Sequence, residues 1–528
     1  MLLQTVLALV ATAFSHVYAQ SGPIVDLGYT QYQGAVSPAN VAHFLGIRYA
    51  AAPTGDLRFR APQPPANVSG IQDATFQPNQ CFQADNGVSP TNPLAKRAVE
   101  SSEDCLFLNV YYPSDAVGTP PKDLPVLVWI HGGGYLAGQA SAYNGEDILH
   151  QSNRNLVFVA VQYRLGAFGF LPGEKVKQNG TLNAGLLDQD LALRWVNNNI
   201  HKFGGDRHKI TIWGESAGAG SVLQQVIANG GNTQPSLFRA AITSSTFLPS
   251  QYKYKDRIPE LLFSQVVAEV GCSSAVDTMA CLRAVDANTL ETANRAINRA
   301  GFFGTFLLVP VVDGTFIRQR ATQALAQGKV NGQVLLSVTN SFEGDIFVDQ
   351  TTGPTANATQ YALNLFPNLT PAQAARAGQL YAGLGTQLFQ ESAIQGESIF
   401  VCPTYYMLRA FPGQSFKAEF ALPPALHAGD VAYYFPTLST PAFQNRDFIN
   451  AFAQIFTSFA ISLDPNVPVD PQTPTITPRW HKWVHLAAEA EMVFNRTGDT
   501  PDVHAAGTSK ALLKRCAFWE SVGAFTGQ

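Results

Sequence analysis

The 528-residue chain reads as an α/β protein, a single large domain built on a wide, mostly parallel sheet with helices on both faces. Three observations lead there. Short, mainly apolar runs recur at Pro125 to Ile130, Leu156 to Gln162, Lys209 to Trp213 and Val334 to Thr339, with a weaker one at Phe416 to Phe420. Runs of this length without polar alternation are strands buried on both faces, the mark of a parallel sheet. Between the second and third lies Ala184 to Ile200, whose leucines and Trp195 recur at helical spacing. Lastly, no repeat, heptad or low-complexity linker divides the chain, so the several domains its length alone would allow reduce to one.

Composition narrows the class further. With 46% hydrophobic and 14% charged residues, the chain has ample material for a large core and too little charge for disorder. A net charge of −4 with no basic block argues against nucleic acid or an anionic membrane surface as a partner. The run from Met1 to Ala13 is apolar but too short to span a bilayer, and Val17 and Ala19 stand as small residues before Gln20. This pattern predicts a signal peptide over 1–19, a mature domain over 20–528, and export from the cell with no membrane anchor. Export accords with five glycosylation sequons, at Asn67, Asn179, Asn357, Asn368 and Asn495. It also makes the six cysteines (Cys81, Cys105, Cys272, Cys281, Cys402 and Cys516) disulfide partners rather than metal ligands. No Cys-x-x-Cys supports a zinc site, and spacing alone does not choose among the pairings.

In such sheets chemistry collects in loops at the carboxyl ends of strands. Directly after Lys209 to Trp213 stands Gly214-Glu215-Ser216-Ala217-Gly218, followed by the helical run Ala219 to Ile227. Gly-x-Ser-x-Gly between a strand and a helix is a tight corner that lifts the serine hydroxyl above the sheet. The helix behind it aims its first N–H groups at developing negative charge. A bare Gly-x-Ser-x-Gly is weak in a chain with 43 glycines, where it reads equally as a plain turn; the strand and helix around it make it specific. After Pro125 to Ile130 comes His131-Gly132-Gly133-Gly134-Tyr135. A tetrahedral intermediate needs backbone donors aimed in advance at its oxyanion, and Gly133, Gly134 and Ala217 are the expected three. Losing one typically costs about 10²–10³ in turnover. A phosphate loop is the competing reading, but neither Gly-x-Gly-x-x-Gly nor Gly-Lys-Ser/Thr is present. His131 lies on the wrong side of the glycines to act as a base and is expected to be structural.

With these motifs in order, the sequence resembles the carboxylesterase/cholinesterase/type-B lipase family of α/β-hydrolases, from near Val25 to Trp519. Ser102 to Asn109, Tyr163 to Phe170, Asn183 to Gln189 and Phe203 to Asp206 carry the resemblance alongside the glycine run and Gly214 to Gly218. It implies a serine ester hydrolase with the α/β-hydrolase fold, needing no cofactor and no metal. A base and an acid must follow the serine in the order serine, acid, histidine. Only His427, His481, His485 and His504 follow. His427, in Leu426-His427-Ala428-Gly429-Asp430, resembles the family's histidine motif. Glu343-Gly344, after the Val334 to Thr339 strand, matches its acid, with Asp345 the nearest competitor. His481 and His485 are expected on one helix face at its solvated edge, with no glutamate between them for a zinc peptidase. The resemblance further implies disulfides Cys81–Cys105, Cys272–Cys281 and Cys402–Cys516, ion pairs Arg58–Glu103 and Arg164–Asp188, and supporting places for Glu215 and Ser245 beside the catalytic set.

The ester itself is less legible. The 23 residues between Cys81 and Cys105, where interfacial lipases carry a long amphipathic lid, are here short and polar, with Asn86, Asn92, Lys96, Arg97 and Glu100 among them. They also lack the tryptophan by which cholinesterases hold choline. Ser245-Thr246-Phe247 replaces the family's Ser-Gly-Ser, which reshapes the acyl side. The expectation is a carboxylesterase on soluble short- to medium-chain esters, with a triacylglycerol or sterol ester lipase as the alternative. An adhesion protein on the same scaffold is disfavoured because every catalytic position is filled.

Overall fold

The computed structural model describes residues 22–89, 101–472 and 474–528. The expected signal peptide and the middle of the first disulfide loop, Asn92 to Glu100 included, lie outside the described residues. Among the described residues, eleven strands form one sheet. In chain order they are β1 (Ala35–Val36), β2 (Val41–Arg48), β3 (Phe107–Pro113), β4 (Leu124–Ile130), β5 (Val157–Val161), β6 (Gly205–Glu215), β7 (Ala240–Ser244), β8 (Val334–Asn340), β9 (Ser415–Phe420), β10 (Ala490–Thr497) and β11 (Thr500–Gly507). Across the sheet the order is β11–β10–β9–β8–β7–β6–β4–β5–β3–β2–β1. The strands from β10 to β5 pair in parallel. Antiparallel strands extend both edges. This is the α/β-hydrolase fold.

Strands β4 and β5 are apolar on both faces because both faces are covered. Val126, Val128 and Ile130 of β4 pack into one core with Leu193 and Val196 of α1 (Ala184–Asn199) and Val222 and Val226 of α2 (Ala217–Ile227). The alternate residues Leu127 and Trp129 face the other core, with Phe452, Phe456 and Phe459. Those phenylalanines lie on one stripe of a later helix, Arg446–Ser462. Trp213 of β6 stacks on Phe456 at 4.4 Å and meets Trp129 edge-on at 4.8 Å. Period-two alternation along a strand thus becomes a choice between two cores rather than between core and water.

The expected bridges and ion pairs form. Cys81–Cys105, Cys272–Cys281 and Cys402–Cys516 are all bonded. Arg58 holds Glu103 through two hydrogen bonds of 2.6 Å, and its third nitrogen donates to the carbonyls of Leu282 and Val285. Arg164 grips Asp188 at 2.8 and 2.6 Å in full burial. Asn67, Asn179, Asn357 and Asn368 are exposed, and Asn495 is half-buried on β10. One expectation fails: residues 478–489 are not helical. Val484 and Ala488 close a reciprocal backbone turn, with Leu486 at φ 61°, and His485 hydrogen-bonds Glu489 at 2.8 Å. Trp480 and Trp483 are both buried, and the Trp483 N–H donates to the Ser415 carbonyl at the start of β9. Tertiary anchoring of two tryptophans overrides the local helical spacing.

The Cys402–Cys516 bridge spans 114 residues and ties the helix Lys510–Ser521 to the helix Cys402–Ala410. Replacing both cysteines by serine is expected to lower stability by about 2–5 kcal/mol, read as a lower urea midpoint. An unchanged midpoint would contradict this.

Candidate active site

Parallel register builds the site. Ile130 of β4 lies beside Gly214 of β6, Glu215 beside Ser244 of β7, Ser244 beside Val338 of β8, and Asn340 beside Phe420 of β9. The carboxyl ends of five neighbouring strands therefore form a row. The segments leaving them carry, in turn, the glycine run, Ser216, Ser245, Glu343 and His427.

Ser216 occupies a strained left-handed corner, φ 55° and ψ −124°, with its N–H donated to the Ser244 carbonyl at 2.9 Å. A side chain at Gly218 is impossible, since a Cβ there would sit 1.9 Å from the Ile130 carbonyl oxygen. Gly133, at φ 102°, turns the glycine loop so that its carbonyl accepts from the N–H groups of Leu136 and Ala137. Gly133 and Gly134 line the same cavity as Ser216 and His427, and Ala217 opens α2 immediately after the serine. The first N–H groups of a helix have no partner within it, so that of Ala217 is available at the corner. That cavity measures about 670 Å³.

The three distant residues meet. The hydroxyl of Ser216 lies 2.9 Å from His427 Nε2, and His427 Nδ1 lies 2.6 Å from Glu343 Oε2. The other Glu343 oxygen accepts from the Ser245 hydroxyl and from the Asn340 N–H, each at 2.7 Å. Glu215 sets its Oε1 3.3 Å from His427 Nε2. The His427 ring sits between Phe347 and Phe400, at 4.9 and 4.4 Å. The competitors lie elsewhere: the Asp345 side chain faces Ser392, and His504 pairs with Asp502 on the exposed β10–β11 hairpin. His131 is buried with its Nδ1 2.9 Å from the Gly132 carbonyl, and burial pushes its pKa down to about 4, so it is a neutral structural group.

Burial also governs the acids. It pushes the Glu215 carboxyl up to about 8, against the pull of His427, and lifts Asp430 to about 6, against hydrogen bonds from Asn340 and Tyr434. For His427, burial favours the neutral ring. The hydrogen bond to Glu343 and the charges of Glu215, Glu343 and Asp430 outweigh it, leaving the pKa above 6.5.

A model of the carboxylesterase family matches residues 21–519. The chain belongs to the carboxylesterase family. It is accordingly a carboxylic ester hydrolase. Secreted lipase 1 of Botryotinia fuckeliana is 32% identical over 480 residues, covering 81% of this chain and 82% of that one. Lipase 2 of Geotrichum candidum is 33% identical over 519 residues, covering 87% and 90%. The solved structure of Aspergillus niger EstA superposes with a TM-score of 0.84 at 32% identity, covering 96% of this chain and 99% of that one.

Two parts of this site escaped the sequence reading. Asn340 and Asp430 sit behind Glu343 and His427; Asp430 entered only as the last residue of the motif around His427, and an asparagine at a strand end carries no spacing signal. The second is an aromatic wall. Phe247 packs against Phe306 and Phe400 at 4.9 and 5.4 Å, and Phe347 against the same two at 5.8 and 5.4 Å. Only the substitution at Ser245-Thr246-Phe247 hinted at it.

Proposed function

We propose that this chain is an exported serine carboxylesterase of one catalytic domain, with Ser216 as nucleophile, His427 as base, Glu343 as orienting acid and Gly133, Gly134 and Ala217 as oxyanion donors. The observation that carries the reading is the unbroken hydrogen-bonded line from Ser216 through His427 to Glu343, at 2.9 and 2.6 Å. His427 takes the Ser216 proton as the hydroxyl attacks the ester carbonyl, and Glu343 stabilises the imidazolium. The proton passes to the departing alcohol, leaving an acyl-serine. Water then repeats the cycle: His427 removes its proton, the hydroxide carbon bond forms, and the acid leaves as Ser216 regains its proton. Export is supported by the expected leader over 1–19, the three disulfides and the secreted lipase among the relatives. Among the described residues no helix is long and apolar enough to cross a membrane.

The acyl preference is read from the aromatic wall. Phe306 stands so close to the oxyanion loop that a Cβ on Gly134 would lie 2.2 Å from its ring. Phe247 and Phe400 are fully buried behind it, so the cavity ends on packed rings beside Gly134 and His427. This favours short- to medium-chain soluble esters. A lipase is the second reading, favoured by the names of the fungal relatives and by exposed Phe342, Phe389 and Leu438, the last of which lines the cavity.

Ser216→Ala is expected to fold normally and lose roughly a millionfold in kcat on p-nitrophenyl acetate, with loss of fluorophosphonate labelling. Retained turnover would end the assignment. Since only neutral His427 accepts a proton and its pKa lies above 6.5, kcat/KM should climb with pH through a midpoint above 6.5. A midpoint at or below that value would mean that the acids do not govern the ring. Against tributyrin the rate should show no jump past the solubility limit, whereas a sharp jump would favour the lipase.

A further inference from the structure

One buried side chain touches both loops that carry the acid and the base. Asn340, 1% exposed, ends β8. Its N–H donates to Glu343 Oε1 at 2.7 Å. Its side-chain amide donates to the Ser245 hydroxyl oxygen at 3.2 Å, and that hydroxyl in turn donates to the same Glu343 oxygen at 2.7 Å. The amide's second bond goes to Asp430 Oδ1, at 3.0 Å, three residues beyond His427. Asp430 is wholly buried and takes its other bond from the Tyr434 hydroxyl at 3.1 Å. Asn340, Ser245 and Asp430 do not line the cavity, so none of them meets substrate.

We propose that Asn340 is a positioning residue of the reaction: its amide ties the Glu343 loop to the His427 loop through Asp430 and holds Ser245 against Glu343. The assignment rests on the reading of Ser216, His427 and Glu343 given above. The loops are also joined by a backbone bond, Phe342 N–H to the Ala425 carbonyl at 2.9 Å, so their path does not depend on the amide. The carboxylate's aim does. Glu343 Oε1 accepts two hydrogen bonds, one from the Asn340 backbone and one from a hydroxyl that the Asn340 side chain supports. Remove the amide and the Ser245 hydroxyl loses the donor behind it, while Asp430 loses its tie to the Glu343 loop.

The electrostatic consequence separates positioning from simple stability. The titratable groups facing His427 are Glu215, Glu343 and Asp430, with Phe347 and Phe400 on its flanks. Without the Asn340 amide, Asp430 protonates more readily and its charge no longer supports the imidazolium. The acidic limb of kcat/KM then moves to lower pH, even as kcat falls through misaimed Glu343.

The test compares wild type with Asn340→Ala, Asn340→Ser and Asp430→Asn on p-nitrophenyl acetate, with kcat normalised to sites labelled by a fluorophosphonate. Asn340→Ala is expected to lose about 10- to 100-fold in kcat with KM nearly unchanged, the usual result of a misplaced reacting group. Its acidic limb should shift downward. Asn340→Ser keeps one short donor, loses less, and supplies a folded variant should the alanine fail to fold. Asp430→Asn keeps an acceptor for the amide but no charge, so it should move the limb in the same direction with a smaller loss of kcat. If a folded Asn340 variant labels on Ser216 and turns over at the wild-type kcat with an unmoved limb, the assignment of Asn340 is overturned. Labelling at a residue other than Ser216 overturns the triad reading itself.

Discussion

The parallel ladder between β4 and β6 is what the site depends on. It sets Ile130 beside Gly214, so the glycine loop and Ser216 leave the sheet as neighbours. The approach is so close that no side chain fits at Gly218. The next ladders extend the row to Ser245, Glu343 and His427, each about one strand spacing, some 4.8 Å, from the last. Contacts of 2.9 and 2.6 Å between residues 211 and 84 apart in sequence follow from that alignment. Two cores hold the alignment, since β4, β6, β7 and β8 each contribute side chains to both.

Within this dry setting, burial competes with charge. His131 has no acid to support it, and burial alone keeps it neutral. His427 is buried too, yet three carboxyl groups reverse the outcome. Those groups are not equivalent: Glu343 meets His427 Nδ1, Glu215 stays near the nitrogen that meets Ser216, and Asp430 lies three residues beyond the ring, hydrogen-bonded to Asn340. A histidine poised between neutral and charged forms is what the proton transfers proposed for it require.

Legibility varied with how local the constraint was. The corner at Ser216 and the glycine run were readable because a tight turn between strand and helix admits few residue types. Glu343 and His427 were reached by chain order and resemblance rather than by geometry. The segment around His481 misled because its spacing looks helical, whereas Trp480 and Trp483 anchor it as irregular chain. Asn340 and the phenylalanine wall left no local trace: Phe247, Phe306, Phe347 and Phe400 come from four separate parts of the chain.

The sequence by itself determined five of the strands described (β4, β5, β6, β8 and β9), the helices Ala184–Asn199 and Ala217–Ile227, the sharp corner at Ser216 and the glycine loop after Ile130, because each is set by patterns acting over a few residues. Only the tertiary structure decided which oxygen of Glu343 faces His427, what supports the other, how far Glu215 stands from the ring and where the cavity ends. Those depend on side chains brought together from distant segments, and hydrogen-bond partners at that range are chosen by packing rather than by neighbours along the chain.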